Sequence, residues 1–412
     1  MFISNSLVLA FASTQVLASR LFVASYAGTV STLSLTEDAS GAYSLGLIAT
    51  STACAANSSW ITKDSERDVL FCADRGLTSD HGTLNSLQIQ SDGSLKALDR
   101  IQTPVGAAAT VLYANNTGLA VAFYSSSSVG SYDVTSDTNM LPLQTFTYNL
   151  TTPGADPEYE TAPHPHEAIT DPTGRFVLVP DLGADLVRLY YINPKTKLLE
   201  PLAPLKTPTG SGPRHGNWLV TKSATYFYLV SQLTNKLTAY KVTYNSNNTL
   251  SFAVKFTRTL LETTTPGQEL QFYSAASGIQ ITPDNNFLII SQRNDTHFSI
   301  PDPSSSSSTP STIPSDSLLT YSLNHNNGNF SLISIDAAGG SFPRQFSINK
   351  AGDLVAVGLQ NDGRLVIIKR DVQTGKGLEI VAAMDIAGQV VCAVWDEDSP
   401  STSQLSEVFK HR

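Results

Sequence analysis

The segment HPHEAITDP, residues 164–172, places two histidines, a glutamate and an aspartate within a short stretch. Imidazole and carboxylate groups bind zinc or transfer protons near neutral pH. A second segment, GPRHGNW at residues 212–218, puts Arg214 beside His215. Together the two segments could hold a metal ion, or they could place a proton acceptor beside a cation that binds an anion. Their positions in the fold decide which chemistry is open to them.

A repeated pattern of strands runs through the chain. Each copy contains an apolar strand, a polar turn, a second apolar strand and a third strand, and the turns recur at intervals of 51 to 67 residues. The turn residues that align are Arg67, Gly118, Gly174, Thr225, Asn285 and Gly352. This spacing is typical of a propeller built from four-stranded antiparallel blades. Strand-forming residues dominate and helical periodicity is scarce, which favours an all-β fold.

The third strand of the pattern occurs seven times, from AGTVSTLSL at 27–35 to GRLVIIKRD at 363–371. The first copy lacks an inner strand before it, and GQVVCAVW at 388–395 can supply that strand from near the C-terminus. We therefore predict a seven-bladed β-propeller over residues 19–396, with its ring closed between the N- and C-terminal strands. Closure removes exposed sheet edges, so we expect a monomer.

The segments outside the repeat have their own signatures. Residues 1–18 match a signal peptide cleaved before Ser19, which predicts a secreted protein. A buried first strand is the alternative, and the absence of a basic residue near Met1 favours it. The Ser/Pro-rich segment 301–315 predicts a flexible loop and residues 397–412 a polar tail. Six glycosylation sequons suit a secreted glycoprotein and begin at Asn57, Asn115, Asn149, Asn247, Asn294 and Asn329.

Composition narrows the classes of partner. The net charge is −9 and no run of Lys or Arg forms a phosphate-binding stripe, so we expect no nucleic acid. Beyond residue 18 no apolar run approaches the ~20 residues that span a bilayer, so we expect no membrane partner. An anionic substrate would need a local cationic pocket. Of the three cysteines, Cys54 and Cys72 could pair in an oxidising compartment, and Cys392 is expected to be a buried thiol.

The repeat predicts which side chains meet. In an antiparallel meander, the start of one strand and the end of the next lie at the same end of the sheet. His166 and Arg344 each precede the turn of their repeat by the same number of residues, at the start of an inner strand. We predict that one mouth of the central channel is surrounded by His164, His166, Arg214, His215, Gln232, Gln292, Arg293 and Arg344.

Two acidic residues of the opening segment are predicted to lie elsewhere. Asp171 belongs to the hairpin DPTG, where Asp and Gly support the turn. Glu167 should point away from the channel, because strand side chains alternate between faces. A zinc site would then need His215 as a further ligand. We predict no metal and no cofactor.

Four segments resemble the seven-bladed β-propeller lactonase family: HPHEAITDPTGRFVLVPDLGADLVRLYYI, GPRHGNW, SQRNDTHFSI and FPRQFSINKAGDLVAVGLQNDGRLVIIKRD. The family includes bacterial 6-phosphogluconolactonases and fungal carboxy-cis,cis-muconate cyclases, and the resemblance suggests a fungal secreted member. It implies the propeller fold and a metal-independent enzyme that opens or forms a lactone. The catalytic set proposed for the cyclases falls on His166, Arg214, Gln232 and Arg293. The sequence departs from the family at Gln232, where those cyclases have an ionisable Glu.

The residue types fit lactone chemistry. We expect hydrolysis of a small carboxylate or sugar lactone, with His166 as acid or base and the arginines holding negative charge. We expect the substrate to be bound by His164, His215, Gln292 and Arg344. Three alternatives remain: a muconate-type cycloisomerase, a lyase acting on uronate-containing glycans, and a catalytically silent secreted binding propeller or antigen. Gln232 favours the silent propeller.

Overall fold

The computed structural model describes residues 17–260, 274–303 and 311–397. Its first three strands are β1 (Leu17–Ser25), β2 (Thr29–Glu37) and β3 (Tyr43–Ser51). Blade 1 contains β4 (Ser58–Asp64), β5 (Val69–Asp74), β6 (Gly82–Ile89) and β7 (Leu95–Thr103). Blade 2 contains β8 (Ala107–Tyr113), β9 (Gly118–Phe123), β10 (Ser128–Asp133) and β11 (Leu141–Thr147).

Blades 3 and 4 bring the two segments that opened the sequence analysis into the ring. Blade 3 contains β12 (Ile169–Thr170), β13 (Phe176–Asp181), β14 (Leu186–Ile192) and β15 (Leu199–Lys206). A short 3₁₀ turn, Leu182–Ala184, follows β13. Blade 4 contains β16 (Pro213–Val220), β17 (Thr225–Ser231), β18 (Lys236–Tyr244) and β19 (Leu250–Thr259).

Blade 5 carries an insertion between its second and third strands. The insertion is a hairpin of β22 (Phe298–Pro301) and β23 (Thr312–Ser315). The blade itself contains β20 (Ala275–Ile281), β21 (Phe287–Arg293), β24 (Ser317–Leu323) and β25 (Phe330–Ala337). Blade 6 contains β26 (Pro343–Ile348), β27 (Leu354–Leu359), β28 (Arg364–Arg370) and β29 (Gly377–Asp385).

The last strand, β30 (Val390–Trp395), closes the ring. It pairs with β1, so blade 7 has the order β3-β2-β1-β30, and β30 also contacts β4 of blade 1. Arg20 and Lys63 both form ion pairs with the Asp396 carboxylate. The prediction of seven four-stranded antiparallel blades with a closed ring is therefore confirmed.

The core lies between the blades. The second strands β5, β9, β13, β17, β21 and β27 are buried at every position. Each is a nearly continuous apolar run because both faces of a blade pack against neighbouring blades. In one such layer, Phe176 and Leu178 of blade 3 pack with Phe227 and Leu229 of blade 4. In the part of the chain described, no helix is long and apolar enough to cross a membrane.

The structure refines the predictions for the flanking segments. The segment 301–315 is a strand at each end, since Pro301 pairs with Thr312 and Ile300 pairs with Ile313. At those ends β-branched residues support the pairing, and the flexibility of the segment stays a prediction. Its centre, 304–310, lies outside the described residues. So do residues 1–16 of the predicted signal peptide and residues 398–412 of the predicted tail.

The cysteines adopt the expected arrangement. Cys54 and Cys72 form a disulfide, and Cys392 is a buried free thiol. Burial raises the pKa of the Cys392 thiol to about 12, so it remains protonated and unreactive at neutral pH.

Candidate active site

A β-bulge near the start of the inner strands shapes one mouth of the channel. In blades 4 and 6 the pairing shifts by one residue after Pro213 and after Pro343, so Arg214 and Arg344 are the extra residues. Blade 3 has the same shift between the Pro165–Asp181 and Ile169–Leu178 pairs. Bulges re-aim side chains and are frequent beside active sites. We call the residues at this position the bulge ring: Ser59, Ala108, His166, Arg214, Ser277, Arg344 and Val391.

Proline marks three members of the bulge ring in the sequence. His166, Arg214 and Arg344 each follow a proline. Proline is tolerated at the first position of a strand, where its missing N–H costs little pairing. Gly212, with a φ of +59°, supplies the left-handed turn into Pro213.

A second set of side chains lies at the ends of the second strands. In six blades the residue that directly follows the second strand donates its backbone amide to the carbonyl of a residue that precedes the inner strand. Arg75 donates in this way to Asn57, and Gln232 to Gly212. In blade 5 the equivalent residue is Arg293, which pairs with Ala275. We call this set the exit ring: Tyr26, Arg75, Tyr124, Leu182, Gln232, Arg293 and Gln360.

A hydrogen-bonded relay connects blades 3 and 4 at the mouth. His215 Nε2 lies 3.1 Å from His166 Nδ1. On its other side, His215 Nδ1 lies 3.2 Å from Glu167 Oε1. The second carboxylate oxygen, Glu167 Oε2, accepts a 2.8 Å hydrogen bond from the Gly216 amide. The relay therefore runs from Glu167 through His215 to His166.

The relay determines where the imidazole protons lie. A carboxylate only accepts hydrogen bonds, so His215 Nδ1 carries a proton and donates it to Glu167. In neutral His215 the Nε2 atom is then an acceptor, and His166 Nδ1 must be its donor. His166 Nε2 is consequently left with a free lone pair. This is the tautomer that a general base requires.

Electrostatics keep His166 neutral. Burial lowers its pKa well below the ordinary value, and the positive charges of Arg214, Arg344 and Arg293 lower it further. Burial also lowers the pKa of His215, although Glu167 opposes the shift. Both imidazoles are therefore neutral near pH 7.

Tyr124 supports the two histidines of blade 3. Its ring stacks on His164 with centroids 4.2 Å apart and meets His166 edge-on at 5.7 Å. His164 Nδ1 bonds to the Tyr124 carbonyl at 2.9 Å, and the His164 amide donates to Asp181. The side chain of His164 is thus held against Tyr124.

The mouth contains a concentration of guanidinium groups. Arg214 is 1% exposed, and its Nε and Nη1 atoms have no hydrogen-bond partner among the described residues. Burial, Arg293 and Arg344 together lower the pKa of Arg214. Arg293 lies over the ring of Phe342 at 4.9 Å, and burial and Arg344 lower its pKa as well. Buried donors without partners are costly, so this arrangement is suited to an anion that satisfies them.

The described residues give no support for a metal site. Among them, no group of three or more His, Cys, Asp or Glu side chains is placed to hold an ion. Asp171 lies in its hairpin, where its carboxylate accepts from the amides of Thr173, Arg175 and Phe176. Its predicted structural role is confirmed.

One predicted site residue has a different environment. Gln292 is buried, and its amide donates to Asn235 and to the Leu260 carbonyl. It braces neighbouring loops, as Asp181 does through His164 and Arg188, so Gln292 does not belong to the exit ring, and its substrate-binding role stays a prediction. The reason is register: the next residue along, which in this blade is Arg293, belongs to the exit ring. Gln232 also belongs to that ring and is half-buried.

Sequence analysis missed other residues at the mouth. Arg75 and Tyr124 belong to the exit ring, and the Arg75 guanidinium lies 5.6 Å from the Tyr124 ring. A signal for Arg75 was present, since it follows the turn residue Arg67 by the same number of positions as Arg293 follows Asn285. Alternation along the strand predicted that Glu167 points away from the channel, but its carboxylate contacts His215 of the neighbouring blade.

Comparison with known proteins identifies the family. The family described as Lactonase, 7-bladed beta-propeller matches residues 18–395, which is nearly the whole described chain. The chain belongs to this lactonase family. The predicted resemblance is therefore confirmed.

The individual proteins that resemble this chain share a modest fraction of its residues. An Arthroderma benhamiae protein named "Probable 6-phosphogluconolactonase" is 29% identical over 352 residues, covering 85% of this chain and 82% of that protein. A 6-phosphogluconolactonase of Formosa agariphila is 25% identical over 325 residues, covering 78% and 83% respectively. The periplasmic gluconolactonase of Pseudomonas aeruginosa has a TM-score of 0.75 at 22% identity, over 92% of this chain and 99% of that one. At that identity the structural likeness shows the fold alone.

Proposed function

We propose that the protein is a metal-independent hydrolase of sugar lactones, acting at the mouth that carries the bulge and exit rings. The names of its relatives support this reaction class, since two of them are called 6-phosphogluconolactonases. The observation that carries the proposal is the relay from Glu167 through His215 to His166. It gives His166 a free Nε2 lone pair beside buried guanidinium groups.

The geometry supports a direct attack by water. A water molecule hydrogen-bonded to His166 Nε2 attacks the lactone carbonyl carbon and transfers a proton to the imidazole. Negative charge then develops on the former carbonyl oxygen. The Nε–H and Nη1–H groups of Arg214 lack partners among the described residues and are suited to stabilise that oxyanion. As His166 becomes positive, Glu167 stabilises the charge through His215.

The charge at the mouth favours an anionic substrate. Arg75, Arg214, Arg293 and Arg344 come from four blades, although the protein as a whole has a net charge of −9. A phosphate or carboxylate on the sugar lactone would supply the negative charge that compensates these four guanidinium groups. We therefore place 6-phosphogluconolactone-like compounds ahead of neutral lactones.

The test measures the hydrolysis of a panel of lactones through the uptake of base at constant pH. The panel contains 6-phosphoglucono-δ-lactone, glucono-δ-lactone and carboxymuconolactone, each with and without a chelator. We expect chelator-resistant turnover that falls by roughly 10²-fold or more in His166→Ala. His325→Ala is a matched control, because that exposed imidazole bonds to the Asn285 carbonyl in a turn. Equal activity of the two variants, or no turnover on any lactone, would overturn the proposal.

We also propose that the protein acts outside the cytosol. The leader-like sequence of residues 1–18 supports export, and the Cys54–Cys72 disulfide suits an oxidising compartment. Sequencing the N-terminus of protein from the native host tests this. A mature chain that starts near Ser19 is expected, and an intact Met1 in cell extract would contradict export.

A further inference from the structure

Tyr26 has a fixed place at the mouth. It is the exit-ring residue of blade 7, and its backbone amide donates to the Gln389 carbonyl at 3.0 Å. Its own carbonyl accepts from Asn57 Nδ2 at 3.5 Å. Its phenolic oxygen accepts from Arg75 Nη1 at 3.0 Å. Both the backbone and the hydroxyl of Tyr26 are therefore held from neighbouring segments.

The bond from Arg75 leaves the phenolic proton available. Arginine only donates, so the Tyr26 hydroxyl accepts in this bond and keeps its own proton for another partner. Burial of Tyr26 raises its pKa, but the guanidinium groups of Arg344, Arg75 and Arg214 outweigh burial and hold the pKa below the ordinary value. Tyr124, whose ring lies 5.6 Å from the Arg75 guanidinium, has a raised pKa because burial dominates there. Tyr26 is the better proton donor of the two.

Arg75 and Tyr124 link Tyr26 to the proposed base. Arg75 Nη1 donates to the Tyr26 hydroxyl at 3.0 Å, and the Arg75 guanidinium lies 5.6 Å from the Tyr124 ring. The Tyr124 ring in turn meets His166 edge-on, with centroids 5.7 Å apart. Tyr26 and His166 themselves belong to blades 7 and 3, so a lactone bound between them would have the base on one side and the phenol on the other.

Lactone opening needs such a donor. The leaving group is an alkoxide, and an alkyl alcohol is about as weak an acid as water. His166 is occupied by the proton it takes from the attacking water. A second group that protonates the ring oxygen would therefore accelerate collapse of the tetrahedral intermediate.

We propose that Tyr26 is the general acid that protonates the lactone ring oxygen, with Arg75 stabilising the tyrosinate that results. This rests on the proposed lactone hydrolysis. The water oxygen bonds to the acyl carbon, and one water proton goes to His166. The bond between the acyl carbon and the ring oxygen then breaks, its electron pair stays on that oxygen, and the Tyr26 proton joins it. The new carboxylic acid returns its proton to the tyrosinate, and His166 releases its proton to solvent, leaving carboxylate, alcohol and H⁺.

The test compares two six-membered lactones that differ in leaving group. δ-Valerolactone expels an alkoxide, whereas dihydrocoumarin expels a phenoxide whose conjugate acid has a pKa of about 10 and needs little help. We expect Tyr26→Phe to lower kcat/KM for δ-valerolactone by roughly 10²- to 10³-fold and for dihydrocoumarin by less than about 5-fold. Tyr43→Phe, in the outermost strand of the same blade, is the matched control and should change neither rate.

The outcomes separate the two proposals. Equal losses on both lactones would mean that Tyr26 acts in binding or folding, which would overturn its role as an acid. Unchanged rates on both would overturn it as well. His166→Ala should impair both lactones equally, because water attack is common to them. If the wild-type protein hydrolyses neither lactone nor the sugar lactones, the hydrolase proposal fails and the role of Tyr26 fails with it.

Discussion

Replacing Glu167 with glutamine tests the relay with almost no change in shape. The Gly216 amide lies 2.8 Å from Glu167 Oε2 and must face an oxygen, so the new amide presents its NH₂ group to His215 Nδ1. His215 Nδ1 then has to accept, and its proton moves to Nε2. His166 Nδ1 must accept from that proton, which places the His166 proton on Nε2. The lone pair needed to activate water is lost.

The size of the effect follows from the alternatives open to the Glu167→Gln protein. To recover the active tautomer, the glutamine amide must flip so that its NH₂ group faces the Gly216 N–H. Leaving these buried donors without an acceptor costs about 1–3 kcal/mol. Loss of the carboxylate removes a charge-assisted hydrogen bond of roughly 1.5–3 kcal/mol. A combined loss of about 2.5–6 kcal/mol corresponds to a roughly 10²- to 10⁴-fold fall in kcat/KM.

Two measurements check the argument. Steady-state hydrolysis of the best lactone gives kcat/KM, with Glu200→Gln as a control because that exposed carboxylate, in the outermost strand of blade 3, accepts from the Asn193 side-chain amide. Nitrogen-15 spectra of the histidines report which ring nitrogen is protonated. The reasoning would be refuted if Glu167→Gln kept kcat/KM within about twofold, or if His166 kept its Nδ1 proton while activity fell.

Four further predictions concern charge and stability. The base must be neutral and its pKa is depressed, so kcat/KM should fall only below the ordinary histidine value of 6.5, as pH drops through the lower folded-state pKa. Arg344→Met removes a positive charge that acts on His166, so the acid limb of the pH–rate profile should move to higher pH; a move to lower pH would contradict the assignment. Arg214→Met should abolish turnover yet raise the free energy of unfolding of the unliganded protein by about 1–4 kcal/mol in urea titrations, because a buried unpaired charge is removed. Replacing Cys54 and Cys72 together with serine should lower that free energy by about 3 kcal/mol, as expected for a bond that closes a separation of 18 residues.

The architecture was predictable because it repeats. The turn residue Gly174 and its equivalents identified the blades, and the unpaired third strand near residue 27 located the ring closure. Hydrophobic alternation and turn chemistry are local properties, so a single sequence displays them directly. The same repeat also brought His166, Arg214 and Arg293 to one mouth.

The details of the site depend on pairing register, which the sequence displays less clearly. Counting from the turns selected Gln292, whereas Arg293, the next residue and also buried, belongs to the exit ring. A one-residue difference reverses the direction of a strand side chain, so an error of one position exchanges a bracing residue for a channel residue. Glu167 was missed for another reason: it acts on His215 across a blade boundary, and no local pattern encodes that contact.

The pairing of β30 with β1 has a consequence for synthesis of the chain. Arg20 and Asp396, which meet where the ring closes, are 376 positions apart. Contacts of such separation form late because a long loop must be closed first. The mouth draws its side chains from all seven blades, so it is incomplete until the last blade receives its inner strand from the final part of the propeller. A nascent chain on the ribosome therefore lacks a complete mouth, and the onset of activity indicates that the ring of blades has closed.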